Sequence, residues 1–142
     1  MSKEDSLQRF IEAQRTTYQT ALAEIENGRK ETHWIWFIFP QVKGLGFSHT
    51  SKFYAIKTLE EADEYLHHEI LGERLKKISE ALLTLPSNDP VEVLGIPDNQ
   101  KLQSCMTLFA ALSPSNSVFH KVLNKYFQGE QDKRTLQIIG KE

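Results

Sequence analysis

Residues 33–41, with the sequence HWIWFIFPQ, decide the fold, because they hold both tryptophans of the chain and two of its eight phenylalanines. A strand at the surface of a sheet alternates apolar and polar side chains, and this stretch does not. It is therefore either a strand buried on both faces or a short buried helical turn, and periodicity leaves both open. Pro40 ends the stretch in either case.

The segments on either side of this stretch predict helices. Residues 6–27 carry apolar side chains at steps of three and four residues, which is typical of an amphipathic helix. Gly72 is expected to divide a later helical stretch in two. Five further residues have side chains suited to cap helices: Thr58, Asp89, Asp98, Ser117 and Asp132.

No series of alternating strands supports a sandwich, a barrel or a Rossmann fold. We therefore expect an all-α fold, with about five to seven helices packed in one compact domain over residues 1–142. A chain of 142 residues with 39% apolar and 25% charged residues can form such a core without metals or disulfides.

The same composition excludes several function classes. A net charge of −2 argues against a general nucleic-acid binder, which carries a basic excess. The single cysteine, Cys105, excludes an internal disulfide and a thiolate zinc cluster, and Cys105 itself is expected to be an inert core residue. The longest apolar run is too short to span a bilayer, and the polar N-terminus does not look like a signal peptide. We expect a cytoplasmic protein with no metal, no cofactor and no nucleic-acid or membrane partner.

The aromatic stretch is the first candidate for function. It is either the central pillar of the core or, in part, the wall of a pocket that stacks on a flat ligand such as a base. In the second interpretation Trp34 and Trp36 form the wall, Gln41 binds polar edges of the ligand, and His33 is the general acid or base, since imidazole titrates near neutrality.

Three other groups of residues could bind or react, each with a structural alternative. Arg29 could hold a phosphate or carboxylate, or provide ordinary charge at a helix end. Lys101 could activate Ser104 as a nucleophile, or both could lie on a solvated helix face. The glycine-hinged, hydroxyl-rich segment with Ser48 and Tyr54 could bind an anion, or be a plain connector.

Several of these residues lie in motifs that resemble a known family. The motifs are Arg9-Phe10, Gly28-Arg29-Lys30, the stretch 33–41, Gly44-Leu45-Gly46, Ser48, Tyr54-Ala55-Ile56, Glu61-Ala62, Lys101-Leu102 and Met106-Thr107-Leu108-Phe109. They resemble domain of unknown function 1810, a family of small bacterial and fungal proteins sometimes mislabelled calpastatin, over about residues 7–140. The resemblance implies a compact, mainly helical domain and no established activity. Ser104 matches the family pattern, whereas Cys105 stands where a second serine is common.

The last third of the chain carries a fainter similarity. Tyr126-Phe127-Gln128-Gly129 followed by Thr135-Leu136 is similar to the helical NADAR proteins, which act on ADP-ribosyl compounds. No catalytic residue is transferred from this similarity.

Together these observations predict a pocket that binds a small polar or nucleotide-like ligand, and hydrolysis of a nucleotide or ADP-ribose linkage is the reaction to test. Trp34, Trp36 and Tyr54 would form its wall. The polar groups would be Arg29, His33, Gln41, Ser48, Lys101 and Ser104. The alternative is a non-enzymatic interaction domain in which the aromatic stretch serves only as core. The sequence leaves the oligomeric state open, including an obligate oligomer formed through the apolar stretch.

Overall fold

The computed structural model describes residues 3–140, with side chains from residue 6 onward. Within these residues there are nine helices: α1 (Lys3–Glu26), α2 (Ile35–Ile38), α3 (His49–Phe53), α4 (Leu59–His67), α5 (Leu71–Leu83), α6 (Pro90–Leu94), α7 (Asp98–Ala110), α8 (Val118–Phe127) and α9 (Lys133–Ile139). The prediction of an all-α fold is confirmed. The count exceeds the expected five to seven because α2, α3 and α6 are single turns of four or five residues.

The centre of the core is α7. All of its residues from Ser104 to Ala110 are buried, and a helix that is covered on every side lies inside the bundle. It packs against α8, α4, α9 and the short helices α2 and α6, while α5 packs against α1, α4 and α8. None of the helices in residues 3–140 combines the length and the apolar character needed to cross a membrane.

The aromatic stretch forms a buried helical turn, so the second of the two alternatives left open by the sequence is the observed one. Its backbone N–H groups at Ile38 and Phe39 donate to Trp34 O and Ile35 O at 3.2 and 3.0 Å. Trp34, Ile35, Ile38 and Phe39 are buried, whereas Trp36 is only partly covered. The two tryptophans therefore have different surroundings, although one residue separates them.

Four of the five predicted caps are confirmed. The side chains of Thr58, Asp89, Ser117 and Asp132 accept hydrogen bonds from backbone N–H groups in the first turns of α4, α6, α8 and α9. The cap at Asp98 is wrong, because α7 begins at Asp98 itself, whose carboxylate lies 2.9 Å from the Lys30 ammonium nitrogen. Local hydrogen bonding decided the four correct positions, and an ion pair distant in sequence decided the fifth.

The predicted division of the later helical stretch into two helices is confirmed, but the break lies at residues 68–70 and not at Gly72. The chain leaves α4 at His67 and starts α5 at Leu71, so Gly72 lies inside α5. A Cβ at this position would collide with the carbonyl oxygen of Leu66. Glycine is needed here for the close approach of α5 to the end of α4.

Residues 41–57 form a compact segment that we call the bridged loop. Its ends are joined by a parallel β-bridge between Val42 and Ile56, where Lys43 N donates to Ile56 O at 2.7 Å and Ile56 N donates to Gln41 O at 2.8 Å. Helix α3 lies between these ends. The bridged loop follows the aromatic stretch directly, so it is held beside α2.

Candidate functional site

Two neighbouring cavities border the bridged loop. The larger, which we call the aromatic cavity, has a volume of about 600 Å³ and is formed by Trp36 together with the bridged loop. Its aromatic walls are Trp36, Phe47 and Tyr54, and its charged residues are Lys43, Lys52 and Lys57. No acidic side chain from the described part of the chain lines it. Flat rings and positive charge therefore occur together at this site.

The second, which we call the polar cavity, has a volume of about 450 Å³ and lies between the bridged loop and helices α7 and α9. Its polar lining residues are Gln41, Gln100, Lys101, Gln103, Ser104, Asp132 and Arg134. Gln41 and Gly46 line both cavities, so the two adjoin. The Lys101 ammonium nitrogen lies 5.3 Å from the centre of the Trp36 ring and connects them further.

Aromatic contacts fix the inner wall of the aromatic cavity. Tyr54 packs with Phe37 and Phe10 at ring-centre distances of 5.2 and 5.9 Å, and with Phe53 edge to face at 4.8 Å. Phe10 belongs to α1 and is completely buried. The Tyr54 ring is thus attached to the core, and a ligand would meet a wall that is already formed.

A buried ion pair anchors the bridged loop to α1. The Arg9 guanidinium donates to the carbonyl oxygens of Phe53 and Ala55 at 2.8 and 2.9 Å, and lies 3.3 Å from the Glu61 carboxylate. Glu61 also accepts from Lys57 N at 2.9 Å. Burial alone would raise the pKa of Glu61, but the hydrogen bonds from Lys57 and Arg9 and the charge of Arg9 lower it overall.

Sequence reasoning placed neither Arg9 nor Glu61 at the candidate site. Both lie in the family-like motifs, Arg9-Phe10 and Glu61-Ala62, and that membership was the available signal. The two residues are 52 positions apart, so no local pattern joins them.

On the other side of the polar cavity, a cluster of hydroxyls surrounds Asp132. Its Oδ2 accepts from Thr135 N at 3.0 Å and from Thr135 Oγ1 at 2.5 Å, and lies 3.2 Å from Ser104 Oγ. Asp132 N donates to Thr107 Oγ1 at 2.9 Å. These bonds hold α9 against α7 and fix the orientation of the Asp132 carboxylate. Sequence reasoning treated Asp132 only as a helix cap.

The contacts of Lys101 and Ser104 do not match the predicted nucleophile pair. The Ser104 hydroxyl has Gln100 O at 3.1 Å and Asp132 as its neighbours. The Lys101 ammonium nitrogen lies 3.9 Å from Asp98 Oδ1 and over the Trp36 ring. Both residues line the polar cavity, but a lysine that activates a neighbouring serine is not what these contacts show.

Trp34 is not a pocket wall, which corrects the expectation from sequence. It is completely buried, and its indole N–H donates to Glu24 Oε1 at 2.8 Å. The Glu24 carboxylate also accepts from Glu31 N, Thr32 N and Thr32 Oγ1. Burial alone would raise the pKa of Glu24, but these four hydrogen bonds outweigh it and lower the pKa to about 2.

The other predicted site residues lie outside the two cavities. Arg29 is exposed and lines a separate depression together with Gly28, Lys30 and residues 91–95. His33 is exposed and lines neither cavity. Ser48 caps α3, where its hydroxyl oxygen accepts from Ser51 N at 3.0 Å. The structure brings together Trp36, Gln41, Tyr54, Lys101 and Ser104 and separates them from Arg29, His33, Trp34 and Ser48.

Among the side chains of residues 6–140, no three histidine, cysteine, aspartate or glutamate residues converge as they would around a metal ion. Cys105 is completely buried, and burial raises the pKa of its thiol well above the usual value. It is placed as a core residue at the centre of α7.

One solved structure and one family model match this chain along nearly its whole length. The crystal structure of the conserved hypothetical protein Rv1873 from Mycobacterium tuberculosis superimposes with a TM-score of 0.92 and 41% sequence identity, over 94% of this chain and 96% of that one. None of the curated proteins compared with the chain matches it. The model of the family described as "Protein of unknown function (DUF1810)" matches residues 4–139, so the chain belongs to the DUF1810 family.

Proposed function

We propose that the chain binds a small, planar, anionic ligand of nucleotide type in the aromatic cavity. The observation that carries the proposal is the partly exposed Trp36 ring in the wall of a cavity edged by three lysines. Stacking on an aromatic side chain contributes about 1–3 kcal/mol per base. Lysine ammonium groups attract the phosphate of such a ligand, and no acidic side chain of the described residues lines the cavity to oppose it.

The distribution of charge and apolar surface supports this proposal. The chain has a net charge of −2, yet Lys43, Lys52 and Lys57 gather at one cavity. Phe47, in the same wall, is 81% exposed, and a large exposed ring beside a cavity is typical of a binding surface. A bound ring system would cover Phe47.

The alternative of a non-enzymatic interaction domain gives the aromatic stretch a role only in the core. Trp34 fits that description, but Trp36, Gln41, Tyr54, Lys101 and Ser104 line adjoining cavities beside an indole ring, which favours a small ligand. Hydrolysis of a nucleotide or ADP-ribose linkage needs an acid–base group beside the ligand. His33 lines neither cavity, so the proposal concerns binding.

Tryptophan fluorescence tests the proposal directly, because only one of the two indoles can touch the ligand. We expect titration with AMP to quench the Trp36 emission, and the quenching to disappear in Trp36→Phe, where only the buried Trp34 emits. Calorimetry with AMP, adenosine and inorganic phosphate measures affinity independently. Absence of both quenching and heat with AMP would overturn the proposal.

Charge variants test the anionic part of the ligand. We expect Lys52→Gln and Lys57→Gln to weaken AMP binding by several-fold each, because each removes a cation from the cavity edge. The matched control is Lys77→Gln, an exposed lysine on α5 away from both cavities, which should leave the affinity unchanged. Equal effects at all three positions would indicate nonspecific attraction instead of a site.

A further inference from the structure

We infer that the polar cavity holds the sugar of the same ligand, so that the ligand class is a nucleoside phosphate with an intact vicinal diol. This inference rests on the proposed function, since it assigns the second half of one binding groove. The two cavities share Gln41 and Gly46, and Lys101 stands over Trp36 at their junction. A ligand stacked in the aromatic cavity therefore extends naturally into the polar one.

The Asp132 carboxylate is the group that would recognise the diol. Its Oδ2 is held by Thr135 and lies beside Ser104, so the carboxylate cannot rotate freely. The hydrogen bonds to this carboxylate from residues 6–140 all go to Oδ2, so its other oxygen, Oδ1, can still accept two hydrogen bonds. Two neighbouring hydroxyls are donors that suit such a fixed acceptor, because its orientation requires no further ordering.

The charges in the polar cavity distinguish a sugar from a second anionic group. Lys101 and Arg134 would attract a phosphate, but Asp132 stands in the same lining and would repel it. A neutral hydroxylated group can form hydrogen bonds with Lys101, Arg134 and Asp132 alike. It can also bond to the side-chain amides of Gln41 and Gln100. The phosphate is better placed at the aromatic cavity, where Lys43, Lys52 and Lys57 have no acidic neighbour in the lining.

The inference is tested by removing the diol from the ligand. We expect AMP to bind the wild-type chain about tenfold or more tighter than 2′,3′-dideoxy-AMP, because the lost hydrogen bonds go to a charged acceptor. Saturation-transfer NMR should show contact between the protein and the ribose protons of AMP. Both measurements use the unaltered chain, so neither depends on a variant that must fold.

Two variants assign the effect to Asp132. Asparagine is an equally good helix cap, so Asp132→Asn should preserve α9 while removing the charged acceptor. We expect it to weaken AMP binding about tenfold and dideoxy-AMP binding less than about twofold. Trp36→Leu is the matched control, because it should weaken both nucleotides alike and leave their ratio unchanged.

The outcomes separate the two claims. Equal affinity for AMP and dideoxy-AMP, with binding still dependent on Trp36, would overturn the sugar site and leave the aromatic site standing. Loss of discrimination in Trp36→Leu but not in Asp132→Asn would also overturn the role of Asp132. Failure of both nucleotides to bind the wild-type chain would overturn the proposed function and this inference together.

Discussion

Trp34 and Trp36 are separated by one residue, yet the first is sealed in the core and the second faces a cavity. The Trp34 indole donates to the buried Glu24 carboxylate and lies beneath the Lys30 ammonium group, 5.0 Å from the ring centre. The Trp36 ring is partly exposed, with Lys101 above it at 5.3 Å. Each ring thus has a cation over it, but only Trp34 has a buried partner for its N–H.

The difference shows how one aromatic stretch can serve both core and site. In a helical turn, residues two apart point to different sides, so burying one indole turns the other outward. Burial is possible for Trp34 because Glu24 satisfies the indole N–H, which would otherwise lose a hydrogen bond to water. The buried Trp34 therefore anchors the aromatic stretch in the core and holds Trp36 beside the bridged loop.

The largest effect expected from this comparison concerns stability. We expect Trp34→Ala to lower the free energy of unfolding by about 3–5 kcal/mol, because it leaves a cavity and removes a partner of Glu24. Trp36→Ala should cost less than about 2 kcal/mol, since its ring is only partly buried. Urea denaturation measures the free energy of unfolding of both variants.

The control is Phe47→Ala at an exposed ring, which should change the free energy of unfolding by under about 0.5 kcal/mol. Similar losses for both tryptophans would contradict the comparison.

The pH dependence of stability sharpens the same comparison. The folded pKa of Glu24 is about 2, below its ordinary value of 4.5, so folding favours the charged carboxylate. The stability that this provides is present above about pH 4.5 and is lost as the pH falls towards 2. Its size is roughly 3 kcal/mol.

Denaturation of the wild-type chain and Glu24→Gln across this pH range measures the effect. We expect the difference in unfolding free energy between them to shrink as the pH falls. Glu26→Gln, at an exposed position on the same helix, is the control and should follow the wild type. If the unfolding free energies of the wild type and Glu24→Gln stay parallel down to pH 2, the Glu24 carboxylate is not the source of the pH-dependent stability.

Most of the fold could be predicted from the sequence because helices are specified locally. Thr58, Asp89, Ser117 and Asp132 each cap a helix with a bond to a backbone group two or three residues away. Asp98 resembles them in sequence, but its partner is Lys30, which a local pattern does not reveal. Errors therefore arose where a contact distant in sequence replaced a local one.

The candidate site was harder to predict for the same reason. The motifs contained Trp34 and Trp36 alike, whereas Glu24, the partner of the buried Trp34 indole, lies ten residues earlier and outside them. His33 and Arg29 also belong to these motifs but lie at the surface, because only the fold decides which residues of a motif face the cavity. Asp132 was recognised as a cap, and its place in the polar cavity follows from the packing of α9 on α7.

A smaller loss of stability is expected when the anchor of the bridged loop is removed. This change tests the surroundings of Trp36 without altering those of Trp34. Arg9→Met removes the donors to Phe53 O and Ala55 O and the cation beside Glu61. We expect a loss of about 2 kcal/mol in stability. Hydrogen exchange should become faster at the Ile56 amide while the surroundings of Trp34 stay protected.

The matched control for Arg9 lies on the same helix. Arg15 forms an ion pair with Glu12 at 2.8 Å, but its side chain is 63% exposed. Arg15→Met should therefore change stability by less than about 0.5 kcal/mol. An equal effect at both arginines, or uniform exchange across the core, would mean that Arg9 supports the whole fold instead of the bridged loop.

The smallest effect concerns a buried polar group that, unlike the Trp34 indole, has no partner. The Ser79 hydroxyl on α5 is completely buried, and no residue of the described chain accepts or donates a hydrogen bond there. Ser79→Ala removes the unsatisfied group, so we expect the free energy of unfolding to rise by about 1 kcal/mol. Thr20→Ala, at an exposed position of α1, measures the separate gain from helix propensity. If Ser79→Ala destabilises the chain, the hydroxyl has a hydrogen-bond partner such as a buried water. The buried polar group at Ser79 would then be hydrogen-bonded, as the Glu24 carboxylate is.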